Sequence, residues 1–344
     1  MPRWSHSAPM RRLRRLAGGV RDGLRGASAV LLYHRVAEVA HDPWRLAVRP
    51  AHFAAQMAVL AQRGDVMPLA TLCDAVTARR RIRRGVVVTF DDGYADFRSA
   101  ALPVLERTGV PATLFVTTGP LEHGEPFWWD ELERLVLLPA RVPPELRLVI
   151  DGRSWSCPMP ADRNGRLAAY LAVHRRVGGL TTWERRRVLR RLRGWADTSP
   201  PPPGTPRALS VAELRAVATS PLIELGAHTV GHPYLGDLPV AEQVCEIQTS
   251  RQDLERHGEV AVRHFSYPHG DLSAETKRCV RTVGFAGACG SAGELAHRGS
   301  DPFDLPRLEV PDLDGPAFAA WLAALVPAPS RWRSTWRSTW TRAA

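Results

Sequence analysis

Cysteine is scarce in this 344-residue chain: Cys73, Cys157, Cys245, Cys279 and Cys289 are odd in number, scattered, and form no Cys-x-x-Cys pair. Neither a disulfide framework nor a thiolate metal site follows, which leaves reduced, mostly buried thiols and favours a cytoplasmic setting. Lysine is nearly absent, so almost all of the 46 basic residues are arginine and the formal charge reaches +11. Zinc-finger spacing, RNA-binding signatures and basic-zipper patterns are all missing, and the arginine runs therefore read as solvated helix faces, with no nucleic-acid partner. Long apolar runs are lacking too. Arg11 to Arg15 is followed by no apolar core of a signal peptide, and Ala29 to Tyr33 is too short to span a membrane. Met10 to Leu24 reads as a solvated tail, with an amphipathic helix on a membrane surface as its alternative. The tail tryptophans and arginines of the repeated Arg-Ser-Thr-Trp at 333–340 give the same choice between disorder and peripheral membrane contact.

What is present is an ordinary globular composition, 44% apolar and 24% charged, in a chain long enough for one large α/β domain. Buried strands are expected at Ala29–His34, Val86–Phe90, Ala112–Val116, Ile223–Gly226 and Phe265–Tyr267, with a short one at Val66–Leu69. Helices are expected from Pro50 through Leu60, at Leu72–Ala78, at Arg98–Thr108 ended by Gly109, and at Val211–Ala218, Val240–His257 and Ala274–Val283. Strand and helix alternating at this spacing imply parallel strands joined by crossovers. Residues 122–208 break the rhythm with Phe127-Trp128-Trp129, a hairpin-like Asp151-Gly152, a basic helix near Trp183 to Trp195 and the proline run 200–203. We read them as an insertion within a domain over 28–325, flanked by basic tails at 1–27 and 326–344.

Chemistry enters at Thr89-Phe-Asp-Asp-Gly93, at the end of an apolar run. Asp-Gly is a common turn dipeptide. Two carboxylates at the tip of a buried strand are nonetheless costly unless they bind a cation, share a proton or do chemistry. Ala227-His-Thr-Val-Gly-His232 follows another buried strand, and its histidines are four residues apart. On a helical turn both imidazoles would share a face. Two histidines and one carboxylate make a three-ligand set for catalytic zinc, and ligands in α/β folds gather at strand carboxyl ends. One aspartate is then left over. Zinc lowers the pKa of water and polarises a carbonyl, so a neighbouring carboxylate has a proton to accept.

These two segments together resemble the first two motifs of the polysaccharide deacetylases, the family four carbohydrate esterases, and the resemblance runs from about Ala29 to Val310. It implies a distorted (β/α) barrel with a helix-rich insertion. It also implies Asp91 as general base, Asp92, His228 and His232 as ligands of a divalent metal (Zn2+ foremost), and removal of acetyl from an N-acetylated glycan or its precursor. The usual Phe-Arg-x-Pro-Tyr-Gly is replaced by Phe265-Ser-Tyr-Pro-His-Gly270. Ser266 thus stands where an arginine steadies the base, with Arg307 as its expected substitute. His269 stands where a tyrosine's backbone N–H serves the oxyanion, and Tyr267 is expected on the same side of the substrate. The Leu-x-x-His of the catalytic acid is absent after Val310. Leu31-Leu-Tyr-His34 matches it near the other end, an order resembling the circularly permuted poly-N-acetylglucosamine deacetylase branch. His34 is then the acid that protonates the amine. Trp128 and Trp129 are expected against the sugar. The alternatives are a non-catalytic carbohydrate-binding relative and an amidohydrolase acting on a non-sugar C–N bond.

Overall fold

The computed structural model describes residues 26–82, 84–122, 124–150, 152–197 and 205–327. The expectations for both arginine-rich tails and for the proline run fall outside these residues. In chain order, β1 (Ala27–Tyr33) leads to two short strands, β2 (Arg35–Val36) and β3 (Ala47–Val48), and then to α1 (Pro50–Arg63) and α2 (Leu69–Thr77). β4 (Gly85–Phe90), a π-turn at Phe97–Ala101, α3 (Leu102–Thr108) and β5 (Ala112–Val116) follow. Next come α4 (Trp128–Val136), the hairpin β6 (Glu145–Ile150) and β7 (Arg153–Pro158), α5 (Arg163–Gly178) and α6 (Thr182–Ala196). The alternation resumes with α7 (Val211–Ala218), β8 (Ile223–Ala227), α8 (Val240–Gly258), β9 (His264–Ser266), α9 (Ala274–Val283) and β10 (Gly287–Cys289). β11 (Ala296–His297), β12 (Leu308–Glu309) and α10 (Gly315–Leu325) close the described chain.

Local chemistry sets the boundaries. Pro50 opens α1 where a missing N–H costs nothing, and Gly64 ends it in the left-handed conformation. Ser210 and Glu213 form a reciprocal capping box at the start of α7. The strand expected at Val66–Leu69 shrinks to one bridge, Val66 to Val86. Pro68 there caps α2 instead, and Leu69 turns into the core as its first residue.

The strands form one curled sheet in the order β10-β9-β8-β5-β4-β1-β11, with β12 also on β1. Every pairing from β10 to β1 is parallel. All six residues of β4 and all seven of β1 are buried, because a parallel sheet is covered on both faces. The stretch between β10 and β12 brings the far edges together. Leu305 bridges Cys289 of β10, and Leu308 and Glu309 then pair with Leu31 and Leu32 of β1. The result is a distorted (β/α) barrel, and its strand carboxyl ends all open on one side.

Over that side, α4, the β6–β7 hairpin, α5 and α6 share a second apolar cluster built around Trp129, Leu132, Tyr170, Val173 and Leu192. Tyr94 links it to the barrel: its hydroxyl accepts from Trp129 Nε1 at 2.7 Å and donates to Asp130 Oδ1 at 3.1 Å. Burial pushes the Asp130 carboxyl up to about 8, against the opposing pull of Arg35 and the Tyr94 hydroxyl. An acid raised by folding is held more tightly by the folded chain. Its contribution to stability is therefore present near pH 4 and is lost as pH rises through about 8. Asp130→Asn, neutral at every pH, is expected to melt like the parent at pH 5 and above it at pH 9. Parallel melting curves across that range would remove the buried-acid assignment.

Candidate metal and active site

Asp91 and Asp92 leave β4 in different directions because the backbone turns sharply between them. Asp91 keeps the strand's geometry, its N–H bonding Tyr33 O at 3.0 Å, whereas Asp92 takes the left-handed conformation at φ 72°. Gly93, at φ 86°, completes the turn; a Cβ there would approach Val116 Cγ1 to 2.9 Å. Both carboxylates are buried and border one cavity at the barrel mouth.

His228 and His232 meet Asp92 across the mouth, though on a loop and not the expected helical turn. Thr229 and His232 both have positive φ, 65° and 56°. Side chains hold this unusual path. Thr229 Oγ1 accepts the His232 N–H at 3.0 Å, and Glu246 Oε2 of α8 accepts the N–H groups of Val230 and Gly231 at 2.9 and 2.8 Å. Arg185 of α6, fully buried in backbone carbonyls, donates to Gly231 O. A bent loop therefore achieves by three anchors what a helix would do by period, and the physical reason is the pair of left-handed residues.

Ligand atoms of Asp92, His228 and His232 lie within 4.8 Å of one another, the sole such His/Cys/Asp/Glu group among the described residues. His228 Nε2 and His232 Nε2 stand 3.5 and 3.4 Å from Asp92 Oδ1. His228 Nδ1–H donates to Ser266 O at 2.8 Å. That bond fixes the tautomer and leaves the Nε2 lone pair facing the cluster. Asp92 Oδ1 is buried and finds no hydrogen-bond partner among the described residues, a costly state for a carboxylate oxygen. The electrostatics ask for positive charge there. Burial lowers both imidazoles; His269 and His228 push His232 further down, while the Asp91 and Asp92 carboxylates outweigh burial at His228 and draw a proton to it. Two nitrogens, one carboxylate oxygen and this unmet demand for a cation fit a divalent metal of the zinc type.

Asp91 is held from the opposite end of the chain. Arg307, buried just before β12, places Nη1 and Nη2 at 2.7 Å from Asp91 Oδ1 and Oδ2. Ser266 Oγ donates to Asp91 Oδ2 at 3.0 Å and accepts from Arg307 Nη2 at 2.8 Å. Burial alone would raise this carboxyl, but the Arg307 guanidinium, with His228 and His34 behind it, holds it well below the usual carboxylate range. Asp91 Oδ2 lies 3.7 Å from His228 Nε2, so the carboxylate stays ionised beside the three-residue cluster.

The other expected residues divide. A cavity of about 170 Å3 at the mouth is bordered by His34, Tyr267, His269 and Trp129 together with both aspartates, His228, His232 and Arg307. His34 directly follows β1 and lines the cavity that the cluster also lines. Tyr267 lends only its ring, since its hydroxyl donates to Phe303 O at 2.9 Å. His269, at φ 57° in a tight turn, stacks on Tyr234 with ring centres 3.9 Å apart. Trp129 packs on His232 at 4.5 Å. Trp128 does not reach this cavity. It lies under Arg185 and against His174, in the cluster formed with α5 and α6.

Four contributors went unread in the sequence: Ser266 as a partner of Asp91, Glu246 as the loop's anchor, and Trp44 and His174 on the cavity wall. Ser266 alone had a signal. A small residue where a long one is expected leaves a volume that another side chain must fill, and Arg307 fills it.

The family model described as polysaccharide deacetylase matches residues 78–139 and 193–288, which include both aspartates, both histidines and the Phe265–Gly270 turn, and omits 140–192. No curated protein matches the chain. Among the solved structures similar in fold are the following three. The deacetylase PplD of Streptococcus pyogenes, in complex with acetate, is 16% identical, with 88% of this chain and 100% of that one covered at a TM-score of 0.57. IcaB from Ammonifex degensii is 20% identical over 88% and 98%, at 0.56. The BpsB deacetylase domain from Bordetella bronchiseptica is 18% identical over 84% and 97%, at 0.50.

Proposed function

The chain belongs to the polysaccharide deacetylase family, and on that premise we propose that it is a metal-dependent hydrolase removing N-acetyl groups from an N-acetylated sugar or polysaccharide. The observation that carries this reading is the pairing of Asp92, His228 and His232 with an adjacent carboxylate, Asp91, locked between Arg307 and Ser266. Binding a cation alone has no use for that second, fully supported carboxylate.

In the reaction, a divalent ion held by Asp92, His228 and His232 supplies Lewis acidity toward the amide carbonyl and lowers the pKa of water. Asp91 accepts the proton of the attacking water, and Arg307 keeps its oxygens aimed and ionised until that moment. The backbone N–H of His269 is the donor for the developing oxyanion, a function that survives replacement of the family's tyrosine because it does not depend on the side chain. His34 delivers a proton to the departing amine nitrogen. Among the described residues no protein hydrogen bond restrains its ring. Trp129 packs over His232 and Tyr267 floors the cavity, both keeping bulk water away from the reacting amide.

Acetate release from N-acetylglucosamine oligomers, measured by a coupled assay, tests the activity, and release from none of them would overturn it. Elemental analysis tests the ligands separately. About one transition-metal ion per chain is expected in the parent and less than about a tenth of that in His228→Ala, since one of three protein ligands is gone. A His228→Ala protein that retains full metal would remove His228 from the set. His34→Ala is expected to slow turnover about a hundredfold, within the range for a general acid.

A further inference from the structure

Two side chains on the cavity wall take no part in the reaction proposed above. Trp44 lies between β2 and β3, and His174 lies on α5; both border the 170 Å3 cavity that Asp92, His228 and His232 also line. Trp44 is 36% exposed in a chain whose other tryptophans near the site, Trp128 and Trp129, are 7% and 4% exposed. Its indole N–H donates to the Tyr170 hydroxyl at 2.8 Å, which sets the plane of the ring. His174 lies 4.6 Å from Trp44 and 4.7 Å from Trp128, ring centre to ring centre. It is 4% exposed, and what it exposes borders the cavity. An imidazole at the edge of a cavity can exchange water for a hydrogen bond to a polar group placed there. Burial, with Arg185 and Arg175 nearby, pushes His174 down to about 3, so the ring is neutral and has both a donor and an acceptor nitrogen.

We propose that Trp44 and His174 hold the sugar ring of the substrate, the indole stacking on its apolar face and an imidazole nitrogen bonding one of its hydroxyls, so that the cavity takes one N-acetylated sugar unit at a time. The choice of ligand rests on the deacetylase reading. Cavity size is in keeping with one unit: 170 Å3 is well below the roughly 300–1,000 Å3 of pockets for drug-sized ligands. The indole that meets the sugar is therefore Trp44, supplied from the β2–β3 connection, and not the Trp128-Trp129 pair, whose faces are spent on packing and on His232. Because His174 rides on α5, the segment over 122–208 decides which sugars fit without contributing to the reacting groups.

Calorimetric titration of the full chain, stripped of metal with a chelator, tests this with N-acetylglucosamine, its dimer and its pentamer. The three are expected to bind within about threefold of one another. Trp44→Ala should weaken each about tenfold, as expected for a lost stacking face. Trp44→Phe should stay within about threefold. His174→Ala should weaken each about fivefold to tenfold through one lost hydrogen bond, with His174→Gln restoring most of it. In acetate release the same alanine variants raise KM and leave kcat within about threefold. Affinity rising tenfold or more from monomer to pentamer, unchanged affinity in both alanine variants, or no binding of any of the three would each overturn the inference. A protein that binds as expected but releases no acetate leaves this inference standing and removes the deacetylase reading instead.

Discussion

Asp91→Asn should reduce acetate release about a thousandfold while metal content stays at the parent's level. The amide has nearly the shape of the carboxylate but cannot accept the water's proton, and a positioned general base contributes about 10²–10⁴ in rate. The metal stays because Asp92, His228 and His232 are untouched and Asp91 Oδ2 stands 3.7 Å from the nearest ligand nitrogen. The comparison thus separates binding of the ion from use of the ion. Turnover within about threefold of the parent would remove Asp91 as the base, and loss of the metal with the activity would make Asp91 part of the metal site.

Replacing its partner has a different signature. Arg307→Ala takes the guanidinium counter-charge from a buried carboxylate, removes a hydrogen bond from Gly290 O, and takes a donor from Ser266. Breaking a buried pair this way costs about 3–5 kcal/mol, measurable as a lower urea midpoint at pH 7. The pH dependence follows from the depressed Asp91 carboxyl. A group whose folded pKa is lowered contributes stability that is complete above its unfolded value of about 4 and fades as pH falls below it. In Arg307→Ala burial is opposed only by Ser266, His228 and His34, so the carboxyl rises and protonation relieves more of the charge left there. The stability gap between parent and variant should therefore be widest at neutral pH and narrow on acidification. A gap that stays constant from pH 7 to pH 3 would mean that the guanidinium serves as packing and not as a counter-charge.

Much of the scaffold was legible in the chain. Strand Ala112–Val116 and helices Val211–Ala218 and Ala274–Val283 match the structure residue for residue. Buried parallel strands read as unbroken apolar runs and amphipathic helices as a 3.6-residue stripe, both local signals. Failures came where the backbone leaves those periods. His-x-x-x-His suggested a helical turn, but Thr229 and His232 adopt positive φ, which no spacing rule for non-glycine residues anticipates. Trp128-Trp129 suggested one aromatic platform, yet adjacent residues on α4 point to different sides, so only Trp129 reaches the cavity.

The sequence by itself determined the inventory: two carboxylates after one buried strand, two histidines after another, and an α/β rhythm that sends strand ends to a common face. Such features are local, because each depends on the chemistry of neighbours along the chain. Tertiary structure alone decided the partnerships. Arg307 reaches Asp91 across 216 residues because β12 closes the barrel beside β1, and Ser266 leaves the room for it. His174 and Trp44 share a wall because α5 folds back over the barrel mouth. Contacts of this kind are set by the packing of distant elements against one another, and that information is not carried by any window of the sequence.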